Sequence, residues 1–153
     1  MRLGLTGGTV REDHPVDQLV VALEGNPDGS IVDAMSASVQ RLAGQRTWVV
    51  DPPELLDQLD ESGVRWVGFG LRIYTALPPW GEEIDPQVDS AHLEEVRELT
   101  GEACRLSDEY DASFQVEYSG ELVGIVESGR MDSGLTDTLI GEWERTIATR
   151  TGR

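Results

Sequence analysis

The chain has 153 residues, 29 acidic side chains against 12 basic ones, all arginine, and a formal net charge of −17. That length suits a single domain spanning residues 1–153 with a sizeable core, and no apolar run approaches the roughly 18 residues of a transmembrane helix. So negative a field repels nucleic acid and anionic membranes and draws in cationic partners.

In chain order, residues 2–7 (RLGLTG) read as a short strand. Pro15 at a first helical position, then Val16, Leu19, Val20 and Leu23 on one face with Gly25 and Pro27 behind, predict a short helix. A strand over residues 19–23 is the rival, because Val20-Val21 favours β structure. Ser30 reads as an N-cap for a helix carrying Ile31, Met35, Val39 and Leu42 and ending at Gly44. Residues 47–50 predict a short strand, and Asp51-Pro52-Pro53-Glu54 predicts a capping box opening a helix through Leu55, Leu56 and Leu59 to Gly63. Residues 64–77 alternate, with Val67, Phe69, Leu71 and Ile73 on one face and Trp66, Gly68, Gly70, Arg72 and Tyr74 on the other: a long half-buried strand. Its glycines imply a shallow trough, or a surface against which a helix packs closely.

A loop over residues 78–89 leads to a long amphipathic helix marked by Leu93, Val96, Thr100, Ala103, Leu106 and Tyr110. Ser90 is its expected cap, with Glu95, Glu98, Glu102 and Glu109 largely on the solvent side. Phe114, Val116 and Tyr118 alternate up to Ser119-Gly120, and residues 122–126 return as a β-hairpin. A last helix over 133–149 repeats Leu135, Leu139, Trp143 and Ile147 at i+4 steps. Together these elements predict an α+β fold, with a mainly antiparallel sheet of about four to five strands and helices packed on one face.

Gly4, Leu5, Thr6, Gly7 and Gly8 resemble the first strand and turn of P-loop kinases, and Gly7-Gly8-Thr9 with His14 resembles the start of cofactor-making nucleotidyltransferases. Both resemblances imply a phosphate cradle. A P-loop needs a lysine for the β/γ charge and a hydroxyl for Mg²⁺, but Glu12 and Asp13 follow the turn and the chain has no lysine. The nucleotidyltransferase motif needs a second histidine, where this chain has Pro15, Val16, Asp17 and Gln18. The likeness covers about ten residues and misses those that do chemistry, so a strand end and glycine turn are expected instead.

No other catalytic signature emerges. The serines fall in caps, turns and polar faces, outside any G-x-S-x-G elbow. His92 reads as a solvated helix-start histidine, and paired carboxylates such as Glu82-Glu83 arise by chance in so acidic a chain. Cys104 is a lone cysteine expected as a small buried hydrophobe. No metal, no cofactor and no enzymatic activity are expected, in a soluble cytoplasmic protein without a secretory signal.

Residues 76–90 (ALPPWGEEIDPQVDS) stand out as a proline-stiffened connection carrying Trp80 among Glu82, Glu83 and Asp85. An aromatic anchor ringed by acids fits a protein-binding hot spot; the alternative is that Trp80 plugs the sheet edge. The expected function is a small acidic binding protein, of inhibitor or immunity type, for a basic partner such as a nucleic-acid-acting toxin. The alternatives are a small-molecule-binding or enzymatic domain using the face of Trp66, Arg72 and Tyr74, or an accessory subunit whose acidity reflects its organism.

Overall fold

Val16, Val20 and Val21 belong to a strand, not a helix: β1 is Val16–Leu23. The computed structural model describes residues 14–75 and 84–151, and the predicted strand over residues 2–7 lies outside them, as does the turn at Gly7-Gly8. In β1 the helical spacing of Val16, Leu19, Val20 and Leu23 coincides with an alternating set, Leu19, Val21 and Leu23, buried on one side. Pairing decides between the periods. β1 lies between β3 (Arg65–Tyr74) and β4 (Phe114–Tyr118), hydrogen-bonded antiparallel to both.

The Asp51-Pro52-Pro53-Glu54 box does not start a helix either. Glu54–Leu59 is β2, paired antiparallel with β3 from Glu54↔Gly70 to Leu59↔Arg65. Proline pushes the residue before it toward extended backbone, and Asp51 and Pro52 each precede one. Asp60 then closes the hairpin, its carboxylate accepting from the Ser62 and Val64 amides at 2.8 and 2.9 Å while Gly63 takes φ +82°. Residues 47–50 form no strand: the Val49 amide donates to the Glu95 carboxylate at 2.7 Å, and buried Trp48 donates its Nε1–H to the Leu42 carbonyl.

Helix α1 is Gly29–Gln45, capped by Asp28 rather than Ser30, with the Asp28 side chain accepting from the Ile31 amide at 3.1 Å. Helix α2, Pro86–Tyr110, starts earlier than expected. Asp85 caps it by accepting from Gln87 N–H at 2.8 Å, with Pro86 in the first turn, so Ser90 lies inside the helix. Three residues of α2 expected in solvent are buried: His92, Glu95 and Glu102. Each has, besides an i,i+3 partner on α2, at least one partner outside the helix that helical spacing cannot reveal. Glu102 accepts from Ser38 of α1 and is met by Arg41 and Arg105 at 2.5 Å.

Burial by itself pushes the Glu102 carboxyl up, and the hydrogen bonds from Arg105, Ser38 and Arg41 overcome it, holding it at about 2 against an ordinary 4.5. A carboxyl depressed on folding contributes stability above its unfolded value and loses it as pH falls through the folded one. The stability advantage of the wild type over Glu102→Gln should therefore be complete above about pH 5 and vanish between about pH 4.5 and 2, as read by urea denaturation across that range.

The hairpin β4–β5 (Glu121–Glu127) forms as predicted, and β6 (Arg130–Met131) extends it. Ser119-Gly120 and Ser128-Gly129 are both two-residue turns with positive φ at each position, the geometry that matches the twist of paired strands. The sheet runs β2-β3-β1-β4-β5-β6, antiparallel throughout. Its six strands exceed the expected four to five: β1 and β2 stand where helices were expected and β6 is a two-residue addition, while the expected strand at residues 47–50 does not form.

The last helix is interrupted. Gly134–Ile140 winds with i→i+5 bonds and runs directly into α3, Gly141–Thr151. The wider turn puts Leu135 and Ile140 on the buried stripe and leaves Leu139 half-buried, where a regular helix would have aligned Leu135 with Leu139. Leu135 seats on Gly124 of β5: a Cβ built there would lie 2.3 Å from Leu135 Cγ. Gly124→Ala should accordingly cost about 1–3 kcal/mol through overpacking, measured by chemical denaturation.

The helices pack on one face of the sheet. Leu19, Val21, Val67, Phe69, Leu71, Phe114, Val116 and Val126 form that face, in one core with Met35 and Leu42 of α1, Val96, Leu99 and Leu106 of α2, and Leu135. Phe69 and Phe114 stack across it with ring centres 6.3 Å apart.

Candidate functional site

The opposite face of the sheet is covered by no helix among the described residues. Strand pairing sets its composition. One row runs Glu54, Gly70, Val20, Glu117 and Leu122, and the next runs Leu56, Gly68, Ala22, Gln115 and Ile125. Glycine and alanine at the centre make a low floor, and larger side chains stand around it. Trp66 lies over Gly68, its ring 3.4 Å from where a Cβ would be, and Leu56 and Gln18 close over Gly70 at 3.0 Å. The predicted trough is therefore present but narrowed to a depression of about 440 Å³ lined by Gln18, Val20, Leu56, Gln58, Trp66 and Glu117. Trp66 also borders a second hollow of about 290 Å³ toward the β2–β3 turn, where Leu59 and Val64 are 71% and 56% exposed.

Of the residues singled out on this strand, Trp66 is half-buried and stands at the side of the glycine–alanine floor nearer the β2–β3 turn. Arg72 shares the face, and its guanidinium is held by Asp51 at 2.8 Å. Tyr74 departs from the other two. It packs at the sheet end against Ile84 and Val88, with edge-on ring contacts to His14 at 5.7 Å and His92 at 5.8 Å. In the other candidate segment, Trp80, Glu82 and Glu83 lie outside the described residues, and the Asp85 carboxylate caps α2.

The charges are unevenly matched. Arg41, Arg46, Arg65, Arg72, Arg97, Arg105 and Arg145 each sit against a carboxylate. Arg65 and Asp57 form a two-pronged pair at 2.7 and 2.9 Å, whose hydrogen bond holds the Asp57 carboxyl below its usual value. No described arginine pairs with Glu24, Glu54 or Glu117, which rim the open face. The face is thus apolar at its floor and negative around it; of the described cations on it, Arg72 is paired with Asp51, and Arg130 stands on the outermost strand, opposite Glu127. Its polar groups are amides and carboxylates, a set suited to hydrogen bonding and charge pairing.

Two buried groups outside this face were missed at the level of sequence. His92 accepts the Tyr74 amide at Nε2 (3.2 Å), which places its proton on Nδ1, 3.0 Å from Glu95 Oε1. The i,i+3 spacing of His92 and Glu95 on a helix was the available signal. Asp89, 2% exposed, accepts the Trp143 Nε1–H at 2.5 Å and joins α2 to α3. No group of three metal-ligating side chains occurs among the described residues, and no helix there is long and apolar enough to cross a membrane. Set against known proteins, the chain matches no family model, no curated protein and no solved structure, so this face and its charge are what its function can be read from.

Proposed function

We propose that the chain is an acidic binding protein of inhibitor or immunity type, which neutralises a basic protein partner by covering it with the open face of the sheet. The observation that carries this reading is Trp66, standing beside small floor residues on a face that no described helix covers and whose rim carries Glu24, Glu54 and Glu117, none of them paired with a described arginine. Tryptophan is the residue most enriched where binding energy concentrates, and the excess of negative charge speeds encounter with a cationic surface. A nucleic-acid-acting toxin is the favoured partner, because its phosphate-binding surface must be cationic. The net charge of −17 also disfavours a second copy of this chain on the same face.

The reading is tested by capturing partners from the source organism at low salt with wild-type bait and with Trp66→Ala. The expected result is a basic protein held by the wild type alone, whose action on DNA or RNA falls as the acidic chain is added in equimolar amount. A captured protein that keeps full activity when saturated would overturn the reading. The depression of about 440 Å³ favours a second possibility, a small-molecule site on the same face. A metabolite-sized ligand that protects the chain against thermal unfolding and is lost in Trp66→Ala would support that instead.

A further inference from the structure

The sheet ends on two edges of different kinds. β6, at one end, is two residues long, and so short an edge offers little to pair with. β2, at the other end, is six residues in unbroken register with β3, and no described element pairs with its outer side. The turn fixes which backbone groups face outward. The Asp60 amide donates to the Val64 carbonyl at 2.9 Å, so these two residues form a hydrogen-bonded pair. Bonded and non-bonded pairs alternate along an antiparallel ladder. Gln58, Leu56 and Glu54 therefore bond to β3, and the N–H and C=O groups of Leu55, Asp57 and Leu59 point to the free edge.

Proteins blunt such edges with lysine, proline, bulges or a covering element. β2 contains no lysine, no proline and no bulge, and Asp57, Gln58 and Leu59 are exposed. Its protection is charge. Glu54 and Asp57 lie in the strand and Asp60 and Glu61 follow it; of these four, Asp57 alone is paired with a described arginine, Arg65. A second copy of the chain, itself at −17, brings like charges to this edge and is disfavoured. The same carboxylates favour a strand that carries arginine or lysine opposite them. Leu55 and Leu59 stand on the helix side of β2 and Leu56 on the open side, so an added strand meets apolar and acidic neighbours on both of its faces.

We propose that β2 binds an extended basic segment of another protein as a seventh strand of the sheet, through the outward backbone groups of Leu55, Asp57 and Leu59. Strand addition takes its affinity from main-chain hydrogen bonds and its specificity from the alternating side chains. The register defines the complementary pattern: basic residues opposite Glu54, Asp57 and Asp60, and apolar ones opposite Leu55, Leu56 and Leu59. The site does not rest on the function proposed for the open face, because the edge groups belong to β2 and an extended basic segment suffices to fill it.

The test uses the intact chain and the peptide acetyl-Arg-Val-Thr-Arg-Val-Val-Arg-amide. Its controls are an analogue with glutamate for each arginine and two N-methylated forms, one blocked at even and one at odd positions. The readout is the ¹H–¹⁵N cross-peaks of β2 and their hydrogen exchange. In the free chain the Leu55, Asp57 and Leu59 amides should exchange fast, and those of Leu56 and Gln58 slowly. The arginine peptide should slow the first three and shift them saturably, with a dissociation constant on the order of 0.1–1 mM. The glutamate analogue should bind about tenfold more weakly or worse. Only one alternate set of peptide amides can face β2, so one N-methylated form should bind and the other should fail. Leu59→Pro removes one outward amide at a position 71% exposed and leaves the ladder to β3 intact. It should weaken binding about threefold to tenfold with the far-ultraviolet spectrum unchanged; if that variant unfolds, the N-methylated pair decides. No saturable shift, equal binding of the arginine and glutamate peptides, or two N-methylated forms that behave alike would each overturn the proposal. So would slow exchange of the three outward amides in the free chain, which would show the edge already paired, with a second copy if dilution releases it.

Discussion

His92→Ala should lower the stability of the domain by about 3–5 kcal/mol, the loss found when one member of a buried pair is removed. The side chains of His92 and Glu95 are 1% and 0% exposed, so water cannot replace what the substitution takes away. Glu95 Oε1 receives its hydrogen bond from His92 Nδ1, and Oε2 receives one from the Val49 amide at 2.7 Å. Without the imidazole, a buried carboxyl keeps only one donor, and the Tyr74 amide loses its acceptor. Glu95→Gln separates polarity from size. Both neighbours of the side chain are donors, and glutamine offers one oxygen and an NH₂, so one donor must face another; the expected cost is about 1–3 kcal/mol. His92→Leu with Glu95→Leu should recover only part of the loss, because the amides of Val49 and Tyr74 stay without acceptors. Urea denaturation of the three variants checks the series. A loss below about 1 kcal/mol for His92→Ala would mean that the pair is dispensable. The pair also ties α2 to the end of β3, the strand that carries Trp66.

Where one face of an element is apolar and the other polar, the sequence is legible, and β3, α1, the existence of α2 and the Ser119-Gly120 hairpin all follow from their periods, although α2 begins at Pro86, inside the expected loop. The misreadings have a common physical cause. Residues 16–23 and 54–59 hold leucines and valines whose spacing suits either a strand or a helix, and β-sheet pairing with residues far along the chain settles the choice. A capping box in Asp51-Pro52-Pro53-Glu54 is local information, and β3 offers Glu54–Leu59 a longer-range partner. The same limit hides the polar core. His92, Glu95 and Glu102 look solvated on a helical wheel of an acidic chain, and their partners Tyr74, Val49 and Ser38 lie 18, 46 and 64 residues away. For the open face, the alternation of residues 64–77 already placed Trp66, Gly68, Gly70 and Arg72 on one side, and the trough followed from the glycines. That Tyr74 leaves this face depends on Ile84, Val88 and the two histidines packed at the sheet end, which no single-strand pattern contains.

If the proposed function holds, Trp66→Ala should weaken the complex with the proposed basic partner by about 2–4 kcal/mol, roughly 30-fold to 1,000-fold, as truncation of a hot-spot tryptophan does. The effect on folding should stay small, about 1 kcal/mol, because the ring is half-buried and rests on Gly68 at the surface instead of filling the core. Glu54→Arg and Glu117→Arg should act differently. Both carboxylates stand on the open face, one on β2 and one on β4, and charges at a rim mainly steer encounter. Their reversal should slow association and flatten its dependence on ionic strength while leaving dissociation nearly unchanged, whereas Trp66→Ala should accelerate dissociation. Surface plasmon resonance at several salt concentrations separates the two effects. The comparison with Trp80→Ala then locates the anchor. If Trp80→Ala abolishes binding and Trp66→Ala does not, the contact belongs to the segment of residues 76–90 with Glu82 and Glu83, and the open face is not the binding surface. If Trp66→Ala alone carries the loss, the partner rests on the sheet, with the small side chains of Gly68, Gly70 and Ala22 letting it approach the backbone and Glu24, Glu54 and Glu117 setting its charge.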